Sequence, residues 1–231
     1  MKTIAIASGG MDSSTLCYYL ANGWPESELA GIVSFDYGQR HRKELDAARV
    51  IAEQLLTPHD IIDLTAVGKH LGGSALTDDI DVPDGHYAED NMRITVVPNR
   101  NQIMLSIAAG IAVARGASSV ATAVHAGDHT IYPDCRAEFI EAISAATQLA
   151  TESFGDISII APFVTIDKAE IARIGDDLGV PWADTWTCYK GGDIHCGTCA
   201  TCVERQEAFA LAEVHDPTEY ADSEFWKKVT A

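Results

Sequence analysis

Short apolar runs alternate with amphipathic stretches along most of the chain. The runs have the length of β-strands and cover residues 3–7, 30–35, 59–64, 119–124 and 157–162. In the stretches between them, apolar residues recur every three or four positions, which is the spacing of one face of an α-helix. Because strands that alternate with helices form parallel sheets, the pattern predicts an α/β fold: a Rossmann-like parallel sheet with helices on both faces.

Some segments carry further local signals. Residues 102–114 are almost entirely apolar, which predicts a helix that is buried on most sides. Asp167 stands three residues before Glu170, so we expect Asp167 to cap a helix and Glu170 to complete a capping box. The sequence Gly179-Val180-Pro181 predicts the end of that helix. Residues 68–90 show little periodicity and predict a long loop, a kind of segment that often serves as a lid.

A glycine-rich turn separates the first predicted strand from the first predicted helix. Its residues are Ser8, Gly9, Gly10, Met11, Asp12, Ser13, Ser14 and Thr15. A strand that turns through glycines into a helix presents backbone N–H groups and the positive end of the helix dipole, which suit a phosphate group. Asp12 would repel a phosphate unless a cation lay between them, so we interpret Asp12 as a Mg²⁺ ligand. The alternative, an ordinary glycine turn, accounts less well for so many polar residues.

The turn is neither a Walker A loop nor the spaced glycine motif of dinucleotide-binding folds. It resembles the PP-loop of the N-type ATP pyrophosphatases, which cleave ATP between the α and β phosphates and adenylate an acceptor. The resemblance implies that ATP binds at residues 8–15.

Four of the six cysteines lie within fifteen residues of one another, near the end of the chain. They are Cys188, Cys196, Cys199 and Cys202. Two-residue spacings let thiolates reach one tetrahedral ion, so the cluster predicts a structural Zn²⁺ site, with an iron–sulfur cluster as the alternative. Cys17 is interpreted as a core residue. Cys135 lies in a polar segment, where a catalytic nucleophile is the less favoured interpretation.

Charge and hydropathy narrow the classes of partner. The chain has 34 acidic and 16 basic residues, a formal net charge of −18 and a pI of about 4.6. This charge opposes binding to a nucleic-acid backbone, so we expect a small-molecule substrate and no nucleic-acid partner. No apolar run is long enough for a membrane helix and no signal peptide follows Met1, so we expect a cytoplasmic protein without a membrane partner.

Several blocks together resemble the 7-cyano-7-deazaguanine synthase family of the PP-loop superfamily. They are residues 8–15, 36–41, 97–101, 132–139, 168–171 and 185–189 and the cysteine cluster, in the order of the family. The resemblance implies a PP-loop ATP-binding α/β domain over residues 1–182 and a C-terminal zinc-binding and helical segment over residues 183–231. It also implies ATP, Mg²⁺ and Zn²⁺ as cofactors.

The resemblance implies an ATP-dependent carbon–nitrogen ligation. Ammonia and 7-carboxy-7-deazaguanine would form an amide through an adenylated acid. The amide would then be adenylated and dehydrated to 7-cyano-7-deazaguanine, the nitrile precursor of queuosine. An adenylated oxygen leaves as AMP, which is a stable leaving group, so one nucleotide site could serve both steps.

Roles for single residues follow from the same resemblance. Asp12, Arg100 and Lys168 are the expected catalytic residues, the last two neutralising phosphate charge. The expected substrate-binding residues are Asp128, Tyr132, Asp134, Arg136 and Phe139. A carboxylate from Asp128 or Asp134 would accept the adjacent N–H donors of the deazaguanine, while Tyr132 or Phe139 stacks on its ring. Alternatively, Lys168 is an exposed lysine at a helix start and Arg100 pairs with a surface acid. Asp134 would then be an ordinary turn residue beside a proline, and the aromatic side chain would belong to the core.

Residues 126–131 depart from the pattern of the family, which usually has a glutamate two positions before Asp128 and a Ser-Gly pair before Tyr132. The shape of the base pocket is therefore the least defined part of the prediction. A PP-loop enzyme acting on tRNA, such as a sulfur transferase or a lysidine-type ligase, is the nearest alternative, and a zinc-ribbon binding module is a second. The family often forms dimers, so a homodimer is an open alternative to a monomer.

Overall fold

The computed structural model describes residues 1–230, and a five-stranded parallel sheet forms their centre. The strands are β1 (Lys2–Ile6), β2 (Glu28–Asp36), β3 (His59–Asp63), β4 (Ser119–Ala121) and β5 (Ser158–Ile160). Their order across the sheet is β3-β2-β1-β4-β5, with every neighbouring pair parallel. All five predicted strands are therefore confirmed. Strand β4 ends three residues before its apolar run does, and β5 begins one residue later and ends two residues earlier than its run.

Within residues 1–230, eight α-helices accompany the sheet. They are α1 (Met11–Tyr18), α2 (Lys43–Gln54), α3 (Thr65–Gly68), α4 (Arg100–Ala114), α5 (Ala137–Thr151), α6 (Lys168–Asp177), α7 (Ala200–Ala212) and α8 (Phe225–Val229). A π-helical turn, Tyr19–Gly23, continues α1, and 3₁₀ turns span Asp90–Thr95, Ala126–Thr130, Pro133–Cys135 and Trp182–Asp184. No helix among residues 1–230 has the length and apolar character that crossing a membrane would require.

Two hydrophobic clusters cover the two faces of the sheet. Because side chains alternate along a strand, Ile4 points into one cluster and its neighbour Ala5 into the other. The first cluster packs the sheet against α4 and α5, and the second packs it against α1, α2 and α6. Complete burial of a side chain such as Leu16 stabilises the fold by about 1.5–3 kcal/mol. The prediction of helices on both faces is confirmed.

Helix α4 is buried on most sides, as its composition predicts. Leu105, Ala108 and Ala112 face the sheet. The exposed positions recur every four residues and form one narrow stripe, Gln102, Ser106, Gly110 and Ala114. These residues are polar or small, so they do not place large apolar side chains in water. The expectation of a helix buried on most sides is therefore confirmed.

Helix α6 begins and ends close to its predicted positions. The Asp167 carboxylate accepts a hydrogen bond from the N–H of Glu170 at 2.8 Å, which is the expected cap. The return bond from the Glu170 side chain, which would complete a capping box, is absent. At the other end, Gly179 has φ +72° and the N–H of Val180 donates to the carbonyl of Gly175 at 2.9 Å. This is the Schellman ending that the sequence predicts.

The segment between α3 and the 3₁₀ turn at residues 90–95 contains neither helix nor strand, as predicted. It is nevertheless attached to the rest of the fold. Leu76 is completely buried, and its carbonyl accepts the N–H of Arg40 at 3.1 Å. Farther along, Asp84 forms an isolated bridge with Cys199. The loop therefore covers the side of the molecule on which the cysteines lie.

Arg205 joins the C-terminal segment to the turn before it. Its guanidinium is completely buried, pairs with Asp216 at 3.0 Å and donates to the carbonyl of Trp182 at 3.1 Å. Burial alone would raise the pKa of Asp216, but Arg205 and the surrounding hydrogen bonds hold it below its usual value. The guanidinium of Arg205 therefore connects the C-terminal segment to the turn through hydrogen bonds to oxygen atoms of both.

We predict that Arg205→Met destabilises the protein by about 3–5 kcal/mol, because it leaves the Asp216 carboxylate buried without its cation. Urea denaturation followed by circular dichroism measures the change. Arg49→Met is the matched control, since Arg49 forms an exposed pair with Asp46 at 2.7 Å and such pairs contribute about 0–1 kcal/mol. Equal effects of the two substitutions would contradict a structural role for Arg205. In the wild type, the contribution of Asp216 should be lost as the pH falls below about 4.

Candidate active site

The glycine-rich turn lies between β1 and α1, at the carboxyl edge of the sheet. Gly9 has φ +80°, and a Cβ atom there would lie 2.4 Å from the carbonyl oxygen of Glu44 in α2. Gly10 caps α1, so the first N–H groups of this helix have no partner within it. Ser14 and Thr15 are completely buried, and their hydroxyls have no hydrogen-bond partner among the described residues. This arrangement can hold an anionic group.

Lys168, the first residue of α6, reaches the same turn. Its Nζ lies 3.1 Å from Oδ2 of Asp12 and 2.5 Å from Oε2 of Glu204. Burial by itself lowers the pKa of Lys168, but the carboxylates of Asp12, Glu204 and Asp128 outweigh it and raise the pKa. Lys168 is therefore a permanent cation, and the interpretation of it as an exposed helix-start lysine does not fit its burial.

His125 follows β4 and lies among the carboxylates. Its Nδ1 accepts the N–H of Gly127 at 3.1 Å, which leaves Nε2 as the protonated nitrogen of the neutral ring. That Nε2 lies 3.6 Å from Asp128, 3.8 Å from Glu204 and 4.0 Å from Asp12. Burial raises the pKa of Asp128, as do the negative charges of Glu204 and Asp12, while His125 and Lys168 oppose the change.

Arg100 begins α4 and lies beside aromatic side chains rather than acids. Its Nη1 donates to the hydroxyl of Tyr37 at 3.3 Å, and no carboxylate of residues 1–230 pairs with it. Burial by itself lowers the pKa of Arg100. The neighbouring Tyr37, Tyr189 and Tyr132 outweigh this effect, so the pKa lies above its usual value. Burial raises the pKa of Tyr37 to about 12. The cation is therefore available to an anionic ligand, and the alternative of a surface ion pair does not hold.

Two adjoining cavities open at this edge of the sheet. The first has a volume of about 220 Å³ and lies over the ends of β1, β2 and β4, with Arg100 and Tyr37 in its wall. The second has a volume of about 140 Å³ and lies between the turn, Lys168 and the start of α7. They share Ser8, Gly10, Asp12, Glu44, Asp128, Tyr132 and Tyr189. A ligand that crosses from one to the other passes Asp12 and Asp128.

The residues expected to bind substrate divide into two sets. Asp128 and Tyr132 line both cavities. Asp134 does not line either one: its Oδ2 accepts the N–H of Asn101 at 3.0 Å, at the start of α4. Arg136 is exposed and donates to the carbonyl of His129, and Phe139 packs against the core beside the sheet. The roles of the last three in binding substrate stay predictions.

The four clustered cysteines come together as the spacing predicts. Their sulfur atoms all lie within 4.8 Å of one another, and three of the four residues are buried. Gly197 has φ +80° and its Cα faces the backbone of Asp222, so the turn between Cys196 and Cys199 needs glycine. Four thiols in a nearly dry site fit one thiophilic metal ion.

The two remaining cysteines do not form a reactive site. Cys17 is completely buried in the core, and burial raises its pKa to about 12. Cys135 is also buried, and burial, followed by the charges of Asp128 and Asp134, raises its pKa well above that of a free thiol. Since the thiolate is the nucleophilic form, the structure supports neither residue as a nucleophile.

Sequence reasoning missed the roles of His125, Tyr189 and Glu204. His125 directly follows a predicted strand, so its place at the carboxyl edge of the sheet could have identified it. Tyr189 belongs to a block that matched the family. Glu204 had no local signal, because its partners Lys168 and His125 are distant along the chain.

We predict that the protein as purified contains one metal ion per chain, measured by inductively coupled plasma mass spectrometry, and that Cys199→Ser loses it. Since the metal would hold the start of α7, amide exchange should accelerate over residues 186–222 while the strands of the sheet keep their protection. Cys17→Ala is the matched control and should keep its metal. Full metal content in Cys199→Ser would contradict the site.

The chain is similar to known proteins over nearly its whole length. A family model described as "Queuosine biosynthesis protein QueC" matches residues 2–213. The 7-cyano-7-deazaguanine synthase of Rhizobium rhizogenes is 58% identical over 231 residues, which are 100% of this chain and 97% of that protein. The protein of the same name from Ruegeria pomeroyi is 59% identical over 227 residues, with 98% and 97% covered. NMN synthetase from Francisella tularensis superposes with a TM-score of 0.49 at 15% identity, over 98% of this chain and 83% of that one.

Proposed function

The chain belongs to the queuosine biosynthesis protein QueC family, and we propose that it is an ATP-dependent ligase that makes 7-cyano-7-deazaguanine. The substrates are 7-carboxy-7-deazaguanine, ammonia and two molecules of ATP. The observation that carries the proposal is the joining of two cavities at the glycine turn, where Asp12, Asp128 and Lys168 lie. The family predicted from the sequence is confirmed, and the alternative of a tRNA-modifying enzyme is not favoured.

In the first half-reaction, the carboxylate oxygen of the acid attacks the α phosphorus of ATP and pyrophosphate leaves. The turn between β1 and α1 binds the phosphates through the N–H groups at the start of α1. Lys168 and Arg100 oppose the negative charge that develops on them. Ammonia then attacks the carbonyl carbon, AMP departs with the original carboxylate oxygen, and the nitrogen loses a proton.

The second half-reaction repeats the activation on the amide. The amide oxygen attacks the α phosphorus of another ATP, and pyrophosphate leaves. The nitrogen then loses its remaining protons as AMP departs, which forms the carbon–nitrogen triple bond. Because Asp128 lies beside both cavities, its carboxyl oxygens can accept hydrogen bonds from N–H groups there.

Two metals complete the proposal. Asp12 is the candidate ligand for Mg²⁺, since its Oδ1 is buried and has no hydrogen-bond partner among residues 1–230. Bound there, Mg²⁺ would neutralise charge on the phosphates. The four cysteines suit Zn²⁺ in a structural role. Inductively coupled plasma mass spectrometry of the purified protein would distinguish zinc from the iron of an iron–sulfur cluster.

The remaining expectations concern the setting of the enzyme. We propose a cytoplasmic enzyme that acts on a small molecule and not on nucleic acid, since a net charge of −18 repels phosphate backbones. The division at residues 182 and 183 and the homodimer expected from the resemblance stay predictions.

We predict that the protein converts 7-carboxy-7-deazaguanine to the nitrile when ATP, Mg²⁺ and ammonium are supplied. With both carboxylate oxygens labelled with ¹⁸O, mass spectrometry should find one labelled oxygen in each of the two AMP molecules formed. Omission of ammonium should stop the reaction after pyrophosphate is released. Unlabelled AMP, or ADP as the nucleotide product, would contradict the proposed chemistry.

A second prediction separates the two aspartates expected to bind the base. Asp128→Asn should raise the KM for the acid about 10- to 100-fold, which corresponds to one lost hydrogen bond to a charged group, while the KM for ATP changes much less. Asp134→Asn is also expected to raise the KM for the acid, but by a smaller factor, because Asp134 lies outside both cavity walls. Steady-state kinetics with each substrate varied in turn measures both. Equal changes in the two KM values would remove that aspartate from the base pocket.

A further inference from the structure

Glu204 reaches the candidate active site from the C-terminal segment. Helix α7 begins next to Cys199 and contains Cys202, and Glu204 lies half a turn farther along it. Only 8% of Glu204 is exposed, and its Oε1 lies 3.8 Å from Nε2 of His125. A carboxylate on a helix that starts at the metal ligands therefore lines the second cavity.

The contact between Glu204 and Lys168 is the shortest ion pair that Lys168 makes. Lys168 Nζ lies 2.5 Å from Glu204 and 3.1 Å from Asp12. A lysine side chain is flexible and holds its amine in place only where partners fix it. Asp12 belongs to α1 and Glu204 to α7, so the two carboxylates hold the Lys168 amine between these helices, on the side of the turn where Asp12 lies.

Glycine at position 127 leaves room for this carboxylate. A Cβ atom on Gly127 would lie 2.9 Å from Cε1 of the His125 ring and 3.2 Å from Oε1 of Glu204, so a larger residue would force the ring or the carboxylate to move. The space beside His125 is therefore shared by two carboxylates, that of Glu204 from α7 at 3.8 Å from Nε2 and that of Asp128 from the 3₁₀ turn at 3.6 Å.

Stability does not require the Glu204 carboxylate. Helix α7 is already attached through the buried pair of Arg205 and Asp216 and through Phe209, which packs against Trp182. Replacement of Glu204 by glutamine would leave Lys168 paired with Asp12 at 3.1 Å, so it would not leave a buried cation without a carboxylate. The close pairing with Lys168 therefore has its main consequence in the site.

We propose that Glu204 is a positioning residue for adenylation: it fixes the Lys168 amine beside Asp12, from a helix that the cysteine cluster anchors. The inference rests on the proposed function for its catalytic consequence, but the position of the Lys168 amine can be measured without it. Glu204 does not contact the reacting atoms in this assignment and acts through Lys168.

The experiment compares Glu204→Gln with the wild type by two measurements. An amine-selective acylating reagent, followed by peptide mass spectrometry, should modify Lys168 about tenfold faster or more in the variant, because a hydrogen bond between charged groups is lost. The kcat for pyrophosphate release should fall about tenfold or more while the KM for ATP changes less than about twofold. Metal content and the unfolding midpoint should stay at the wild-type values.

Glu207→Gln is the matched control, because Glu207 lies on the same helix and is partly buried beside His86. It should leave the labelling rate of Lys168 and kcat unchanged. Wild-type labelling of Lys168 in Glu204→Gln, or equal changes in the two variants, would overturn the proposal. A wild-type protein that released no pyrophosphate with the acid would refute the proposed function, and the labelling rates would still decide the position of Lys168.

Discussion

The candidate site depends on one close approach between two segments of backbone. Gly9 lies so near α2 that a Cβ atom would fall 2.5 Å from the amide nitrogen of Ala48 as well as against Glu44. Only a residue without a side chain allows the turn to lie there, and φ +80° favours glycine for the same position. In this place the turn directs the start of α1 toward the space between β1 and β4, where the strand order reverses. Ligands of parallel sheets bind at such a reversal.

Three carboxylates, one amine and one imidazole lie close together around this space. Asp12, Asp128 and Glu204 approach each other closely in a chain whose net charge is already −18. Lys168 and the Nε2–H of His125 lie among the three carboxylates and reduce their repulsion. Arg100 lies apart, beside Tyr37, and no acid within residues 1–230 forms an ion pair with it. An anionic substrate is therefore attracted at the aromatic end of the first cavity, while the acidic end suits a cation or N–H donors.

Much of the fold could be predicted from the sequence because the signals are local. Strands covered on both faces read as apolar runs, and the ends of α6 follow from Asp167 and Gly179. The cysteine cluster was predicted for the same reason, since its ligands lie close together along the chain. The position of the narrow exposed stripe of α4 could not be predicted, because alanine and glycine occur equally well in a core and on a surface.

The site was predicted where a motif is continuous in sequence or where a block resembles the family. The turn at residues 8–15 forms one piece, and Arg100, Tyr132 and Lys168 lie in blocks that carry the resemblance. Glu204 had neither signal, because it pairs with Lys168 across 36 residues. Periodicity and spacing describe neighbours along the chain, so they carry no information about such a pair. Position relative to a strand end is an intermediate signal: it would have indicated that His125 lies at the correct edge of the sheet but not which groups surround it.

The C-terminal segment is more than an attachment to the nucleotide-binding part. It contacts the glycine turn directly, since the N–H of Trp186 donates to the carbonyl of Gly9 at 2.9 Å. It also supplies Thr201 and Glu204 to the second cavity. Because the same segment contains all four cysteines, a metal ion that orders it would also order one wall of the second cavity. Such a metal would be structural in its coordination and would still affect the candidate site, which gives a physical reason for the glycine turn and a distant cysteine cluster to occur together in one small protein.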